Sequence, residues 1–235
     1  MQLFYNPDIS VNDDTFTFDR EESRHIVKVL RKKTGDVIQL TNGKGSLFTA
    51  EISFAADKKC VVTITGESTT KPLPYYLHLA VAPTKMNDRY EWFLEKATEI
   101  GISEITPLIC DHSERTVFKA GRFEKILQSA MKQSLQYYLP KLNEPTAFKD
   151  FISTKHDGVL YIAHCEETDK KLLKKEIQPQ QKITILIGPE GDFSINEIEL
   201  ALQQNYIPVS LGNTRLRTET AAIVAAHSVA FVNES

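Results

Sequence analysis

The sequence has little cysteine, one tryptophan and no long apolar run. Its 235 residues include three cysteines, Cys60, Cys110 and Cys165, widely spaced and without a CxxC pair. That argues against a disulfide framework and against a cysteine-based zinc site. The six histidines are equally scattered, so no metal is expected. His227, inside an apolar stretch, reads as a satisfied core histidine. A reducing, cytoplasmic compartment is the simplest home. No apolar stretch approaches the length of a membrane span. The opening "MQLFYNPDIS" has neither a basic head nor an apolar signal core, so neither membrane nor export is expected. Nor is there a strong charge of one sign. A net charge of −3 does not mark the whole chain as a nucleic-acid binder. Phosphate-loop patterns are also missing, with no GxGxxG and no GxxxxGK[ST].

What is present is ordinary for a folded protein: 41% hydrophobic and 25% charged residues, which argues against disorder. The first 68 or so residues read as strand and turn. "TFTF", "DVIQLT", "SLFTAEIS" and "CVVTITGES" are β-type runs, and "NGKG" at Asn42 to Gly45 is a hairpin signal. One helix, roughly Glu21 to Lys33, interrupts them. "STTKPLPYY" is the best linker in the chain, so a boundary is expected near residues 69–74, giving domains 1–70 and 71–235. Beyond it, strands alternate with helices: "YYLHLAVAP", "ITPLIC", "GVLYIAHC", "KITILIG" and "IPVSL" are the strands. The helices are "DRYEWFLEKATEIG", "GRFEKILQSAMKQSLQYYL", one from Ser194 and one from about Thr218. Asp88 and Glu91 have capping-box spacing, and Gly101 marks a stop. That alternation implies an α/β fold with a mostly parallel sheet.

Two glycine corners stand out. In "LIGPEGDFSINE", Ser194 and Glu197 have capping-box spacing, so Gly188, Pro189, Glu190, Gly191 and Asp192 form a strand-to-helix loop. Ligands of open α/β sheets bind outside such strand ends. Glu190 and Asp192 would repel phosphate, so the loop suits a ligand that is neutral or cationic where it touches. The alternative is a plain connecting turn. The second corner is "VSLGNTRLRTETAAIVAAH", Val209 to His227, with Gly212 in the loop and Thr218 as a candidate N-cap. Its helix is apolar on every side and is expected to be deeply buried. Arg215 and Arg217 precede it. Each either pairs an acid, such as Glu190 or Glu219, or holds an anion. Two such corners at neighbouring strand ends point to one shared pocket.

"LIGPEGDFS…E" followed by "LGNTRLRTETA" resembles the C-terminal signature of the RsmE-type 16S ribosomal RNA uridine N3-methyltransferases of the SPOUT class. "HIVKVLRKKTGD" and "KMNDRYEWFLEKATEIGI", with Lys85 and Lys96, fit the same family, and the resemblance covers nearly the whole chain. It implies a small N-terminal PUA-like β-barrel that binds RNA and a C-terminal SPOUT-type domain with a trefoil knot. It also implies a homodimer with active sites at the subunit interface, acting on 16S ribosomal RNA or the small ribosomal subunit. S-adenosylmethionine would be held by three loops. By motif these include Gly188, Glu190 and Gly191, then Leu211, Gly212, Leu216 and Arg217; by order alone they include Ala163 to Cys165. The cofactor carries a sulfonium and no phosphate, which agrees with the acids in the loop. The chain departs from the family pattern at Asp192, where glycine is common, and at Gln136, where arginine is common; Gln136 or Lys132 would stand in.

RNA-binding candidates follow from charge. Arg20 to Lys33 holds six basic residues against two acidic ones, and Arg24, Lys28 and Arg31 share a helical face. A second patch from Glu114 to Gln136 contains Arg115, Lys119, Arg122, Lys125 and Lys132. Phosphate contacts of this kind position RNA without reading its bases. Methylation at N3 of uracil requires loss of the N3 proton. Arg217 is the candidate for orienting the uracil oxygens or stabilising their charge, and the base is left open between Glu190, Glu219 and neither. Three other readings remain: a related knotted methyltransferase acting on tRNA, a non-catalytic RNA-binding assembly protein, and a nucleotide-binding enzyme unrelated to RNA.

Overall fold

The short β-type runs of the first seventy residues form one sheet, and the strand–helix alternation after them forms another. The computed structural model describes residues 2–10, 12–116, 120–167 and 169–234; Lys119 of the second basic patch lies outside the described residues. The chain divides into two compact units, Met1–Pro72 with Met131–Leu139, and Leu73–Ala130 with Pro140–Ser235.

The first unit contains β1 (Leu3–Tyr5), β2 (Thr15–Thr17), α1 (Arg20–Arg24), β3 (Val37–Thr41), β4 (Ser46–Ala56) and β5 (Lys59–Thr69). Its five strands lie in the order β1-β3-β4-β5-β2. Alternation sends Phe48, Ala50 and Ile52 of β4 inward, where they meet Ile38 and Leu40 of β3, Val62 of β5, Phe4 and Ile26. The "NGKG" turn joins β3 to β4, and residues 131–139 bond to it through Gly45 N to Tyr137 O and Leu139 N to Gly43 O, both 2.9 Å. The helix is shorter than its sequence suggests. After Arg24 it widens into a π turn over His25–Val29, and Arg31 lies beyond it at φ +56°. The regular spacing that puts Arg24, Lys28 and Arg31 on one face therefore does not hold.

The second unit contains β6 (Tyr76–Val81), α2 (Asn87–Ile100), β7 (Glu104–Ile109), most of α3 (Ala120–Gln133), β8 (Lys141–Leu142), β9 (Thr146–Ala147) and α4 (Phe148–Ser153). It continues with β10 (Val159–Ala163), β11 (Lys171–Leu172), α5 (Leu173–Glu176), β12 (Lys182–Ile187), α6 (Ile195–Gln203), β13 (Ile207–Ser210) and α7 (Thr218–Asn233). The strands run β11-β13-β10-β12-β6-β7-β8, with β9 also on β7, and all these pairs are parallel. The middle strands β6 and β12 are buried at every position after the first, as expected when helices cover both faces. No helix among the described residues is long and apolar enough to cross a membrane.

Helix α2 buries Tyr90, Phe93, Leu94 and Ala97, and Gly101 at φ +112° stops it with its N–H on Ala97 O. Its start differs from the expected capping box. Met86 is the N-cap without a side-chain bond; the Asp88 carboxylate turns to Arg89 N, and Glu91 is taken by Arg122. The outer surface of α7 also corrects an expectation. Ala222, Ala225, Ala226, Val229 and Ala230 are buried, but Phe231 is 64% exposed and His227 is exposed, against the Phe231 ring. Alanine-rich composition looks the same from every side of a helix, so it cannot say which side a neighbour covers.

At the amino ends of β6 and β7, burial and pairing shift two titrations. His78 is 5% exposed and bonds Thr106 Oγ1 at 2.7 Å. Burial, partly opposed by Glu104, lowers its pKa to about 4. Burial also opposes ionisation of Glu104, but bonds from Tyr76, Asn143 and Lys141 outweigh it and hold the carboxyl at about 2. The unfolded chain therefore binds protons first, His78 from about pH 6.5 and Glu104 from about 4.5, and stability falls on acidification. The His78 share is fully present above pH 6.5 and is lost as the pH falls toward 4, on the order of 3 kcal/mol. Urea unfolding between pH 7 and pH 4 should show this slope, flattened in His78→Gln; an equal slope in both proteins would count against it.

Candidate S-adenosylmethionine-type site

Three loops leave neighbouring strand ends. Ala163, the last residue of β10, stands opposite Ile187 of β12 on one side and Val209 of β13 on the other. The loops that follow these strands surround two adjoining cavities of about 420 and 350 Å³, within the usual range for small-molecule sites. Five residues line both: Ala163, Cys165, Arg215, Leu216 and Ala221. The larger cavity adds residues Val209 to Thr214, and the smaller adds Gly188, Glu190, Asp192, Arg217 and Thr218.

The loops are tied to one another. Thr218 is not the N-cap of α7, because that position belongs to Arg217, which makes no capping bond. Instead the buried Thr218 hydroxyl donates to Gly188 O at 3.0 Å and joins the second corner to the first. Asp192 joins the first corner to the β10 loop, accepting from Cys165 N at 2.6 Å. Ser194 and Glu197 form the full capping box expected from their spacing. Glu197 also accepts from Asp111 N, anchoring α6 to the loop after β7. Gly188 and Gly191 leave little room for a side chain. A Cβ would come within 3.1 Å of the Phe193 ring at the first and of His112 Cβ at the second.

The sequence candidates fall as follows. Ala163, Gly188, Glu190, Leu211, Gly212, Leu216 and Arg217 all line the cavities; Gly191 stands against His112 instead. Arg215 and Arg217 are exposed and form no salt bridge among the described residues, so an ion pair with Glu190 or Glu219 is not what holds them. Glu190 accepts from Lys85 N at 2.9 Å. Glu219 is 7% exposed, lines neither cavity and has Arg89 at 3.9 Å. Lys96 pairs with Glu95 and Glu99 on its own helix. Of the RNA candidates, Arg24, Lys28, Arg31 and Lys132 belong to the first unit and Arg115 to the second. Lys28 meets Asp57 at 3.1 Å, an exposed pair worth about 0–1 kcal/mol. Arg122 of the second patch is held by Glu91 through two nitrogens.

Two wall residues, His164 and Cys165, are reached in sequence only by the order of the loops, with no motif of their own. His164 is 6% exposed, and neither ring nitrogen has a hydrogen-bond partner among the described residues. Burial, with Lys170 beside it, lowers its pKa and keeps it neutral. Cys165 is adjacent. Burial and then the Asp192 carboxylate raise its thiol pKa, so the wall offers no thiolate nucleophile. The remaining chemistry is two carboxylates, two guanidinium groups, the Lys170 ammonium and apolar contacts. Such a wall suits a ligand that is cationic at one point and anionic at another, and has no phosphate cradle.

Comparison with known proteins gives a family to this geometry. Residues 71–230 match the model of an RNA methyltransferase domain, and residues 18–65 match that of an RNA methyltransferase PUA domain. The Ribosomal RNA small subunit methyltransferase E of Buchnera aphidicola is 32% identical, over 95% of this chain and 90% of that protein. The chain belongs to the ribosomal RNA small subunit methyltransferase E family. The family member from Bacillus subtilis is 26% identical, over 94% of this chain and 91% of its own. Among solved structures, that of Ribosomal RNA small subunit methyltransferase E from Neisseria gonorrhoeae, bound to S-adenosyl methionine, superposes with a TM-score of 0.87 at 27% identity, covering 99% of this chain and 98% of its own. A "probable rRNA-methyltransferase" from Porphyromonas gingivalis reaches 0.92 at 41% identity, covering 100% and 99%. Family membership makes this chain a methyltransferase with an RNA-modifying domain and a small β-rich PUA domain before it.

Proposed function

We propose that the chain transfers the methyl group of S-adenosylmethionine to N3 of a specific uridine in 16S ribosomal RNA of the small subunit. The observation that carries this reading is the pair of glycine corners, tied together by Thr218 and enclosing a wall of acids and arginines. Residues 71–235 form the methyltransferase domain, and residues 1–70 a PUA-like barrel that holds RNA through Arg24, Lys28 and Arg31. Lys132 and Arg115 contribute further phosphate contacts. A trefoil knot is supported by the strand order. β13 lies outside β10, yet α7 after it returns to β6 and β12. A homodimer, with its sites at the interface, is supported by the half-exposed apolar side of α7 with Ile223, Val224 and Phe231. The protein works in the cytoplasm.

The residues present fit the cofactor. Gly188, Gly212, Leu211, Leu216 and Ala163 supply close backbone approach and apolar walls for an adenosine. Glu190 and Asp192 tolerate a sulfonium, and Arg215 can face a carboxylate. When bound, S-adenosylmethionine supplies an electrophilic methyl group. The chain's own task is to present uracil N3 without its proton and in line. Arg217, exposed at the cavity edge and without a salt bridge among the described residues, favours the uracil anion by facing its oxygens. An Arg217→Ala variant should lose about 10²–10³-fold in methyl transfer while still binding S-adenosylmethionine, the usual cost of removing one charge-stabilising donor. Retention of full transfer would remove Arg217 from the mechanism. The function itself is tested by mass spectrometry of small-subunit RNA from a deletion strain. N3-methyluridine should disappear and return with the gene, whereas unchanged N3-methyluridine rejects the proposal.

A further inference from the structure

Asp192 is an aspartate in a glycine-like conformation, at φ +64°. Its carboxylate accepts from Cys165 N at 2.6 Å and from Phe193 N at 2.9 Å. Its main-chain oxygen lies 3.0 Å from His112 Nδ1. The side chain is half-buried on the wall of the smaller cavity. Glycine would fill the same turn without strain, so the backbone alone gives no reason for a carboxylate here.

Charge gives one. The charged side chains on that wall are Glu190, Asp192, Arg215 and Arg217. They sum to zero, and removing Asp192 would leave the wall positive. We propose that Asp192 is a specificity-determining residue that lets the cavity favour the cationic sulfonium donor over the neutral thioether left after transfer. The inference rests on reading the cavity as an S-adenosylmethionine site. In transfer, the C–S bond breaks with its electron pair on sulfur, the N–C bond forms, and the positive charge departs as the proton of the acceptor N–H. Donor and product otherwise share the same adenosine and amino-acid groups. A fixed carboxylate on the wall therefore acts on the difference between them, holding the donor and loosening the product. A half-buried charge on the cavity wall should separate the two by about three- to tenfold.

Titration calorimetry of the full chain with S-adenosylmethionine and with S-adenosylhomocysteine tests this, in the wild type and in Asp192→Asn and Asp192→Gly. Asparagine tolerates the turn and keeps an oxygen for Cys165 N–H; glycine keeps the turn alone. Both variants should lower the product-to-donor ratio of dissociation constants by about three- to tenfold, with asparagine as strong as glycine. Equal weakening of both ligands would reduce Asp192 to a clasp between loops, and an unchanged ratio with unchanged affinities would leave it no role; either result overturns the proposal. A wild type that binds neither ligand would strike the cofactor reading itself, and this inference with it.

Discussion

Replacing Ala221 by leucine is expected to weaken S-adenosylmethionine binding by about tenfold to a hundredfold, the effect of forcing extra methyl groups into a fitted space. Ala221 lies in the first turn of α7 and lines both cavities, so a larger side chain there intrudes on the whole site. It is half-buried, and its methyl faces a cavity, so the fold itself has room for the larger side chain. Leucine is also a good helix former, so stability should change by less than about 1 kcal/mol. Ala221→Gly is the counterpart. It clears the cavity and costs about 1 kcal/mol of helix stability, with affinity nearly intact. Calorimetry reads affinity and thermal melting reads the fold. A leucine variant that binds as the wild type does would mean that the ligand does not use the space the two cavities share.

The site was legible in sequence where a residue type has one local reason to be where it is. Ser194 and Glu197 form the capping box that their spacing announced, because a cap is decided within four residues. Gly101 ends α2 for the same kind of reason. Gly188, Glu190, Leu211, Gly212, Leu216 and Arg217 reach the cavities because the loops that carry them leave adjacent strand ends. Readings failed where a distant partner outbid a local one. Thr218 has the composition of an N-cap, yet its hydroxyl reaches Gly188, thirty residues away. Glu91 has capping-box spacing from Asp88, yet Arg122 takes it. The π turn after Arg24 has no residue signature that marks it, and the resulting loss of a shared face for Arg24, Lys28 and Arg31 could only be seen in three dimensions. His164 shows the same limit from the other side. A histidine after a strand is unremarkable until its burial is known, and with it two ring nitrogens that find no partner among the described residues.

The strand that ends in the site begins just after Gly158, and its two ends answer to different pressures. Gly158 sits at φ +91°, just before β10, and a Cβ there would run into the main chain of Lys182 on β12, 2.7 Å from its carbonyl carbon. A backbone carbonyl inside a parallel sheet cannot turn aside as a side-chain tip can. Gly158→Ala is therefore expected to cost about 1–2 kcal/mol for the left-handed conformation and about 1–3 more for the overlap. In a protein of this size that corresponds to a fall of roughly 5–15 °C in melting temperature. Asparagine accepts the conformation more readily than alanine but carries the same Cβ, so Gly158→Asn separates the two costs. If the overlap dominates, asparagine will be nearly as destabilising as alanine. If asparagine restores most of the stability, the strain was in the backbone alone. A melting temperature within a degree of wild type for both would mean that β10 and β12 do not lie as close as their register requires. At the far end of β10, Ala163 and Cys165 face the cavity, so folded Gly158→Ala should keep its affinity for S-adenosylmethionine. Ala221→Leu loses affinity and keeps stability; Gly158→Ala loses stability and keeps affinity. Together they separate what holds the sheet from what the sheet holds.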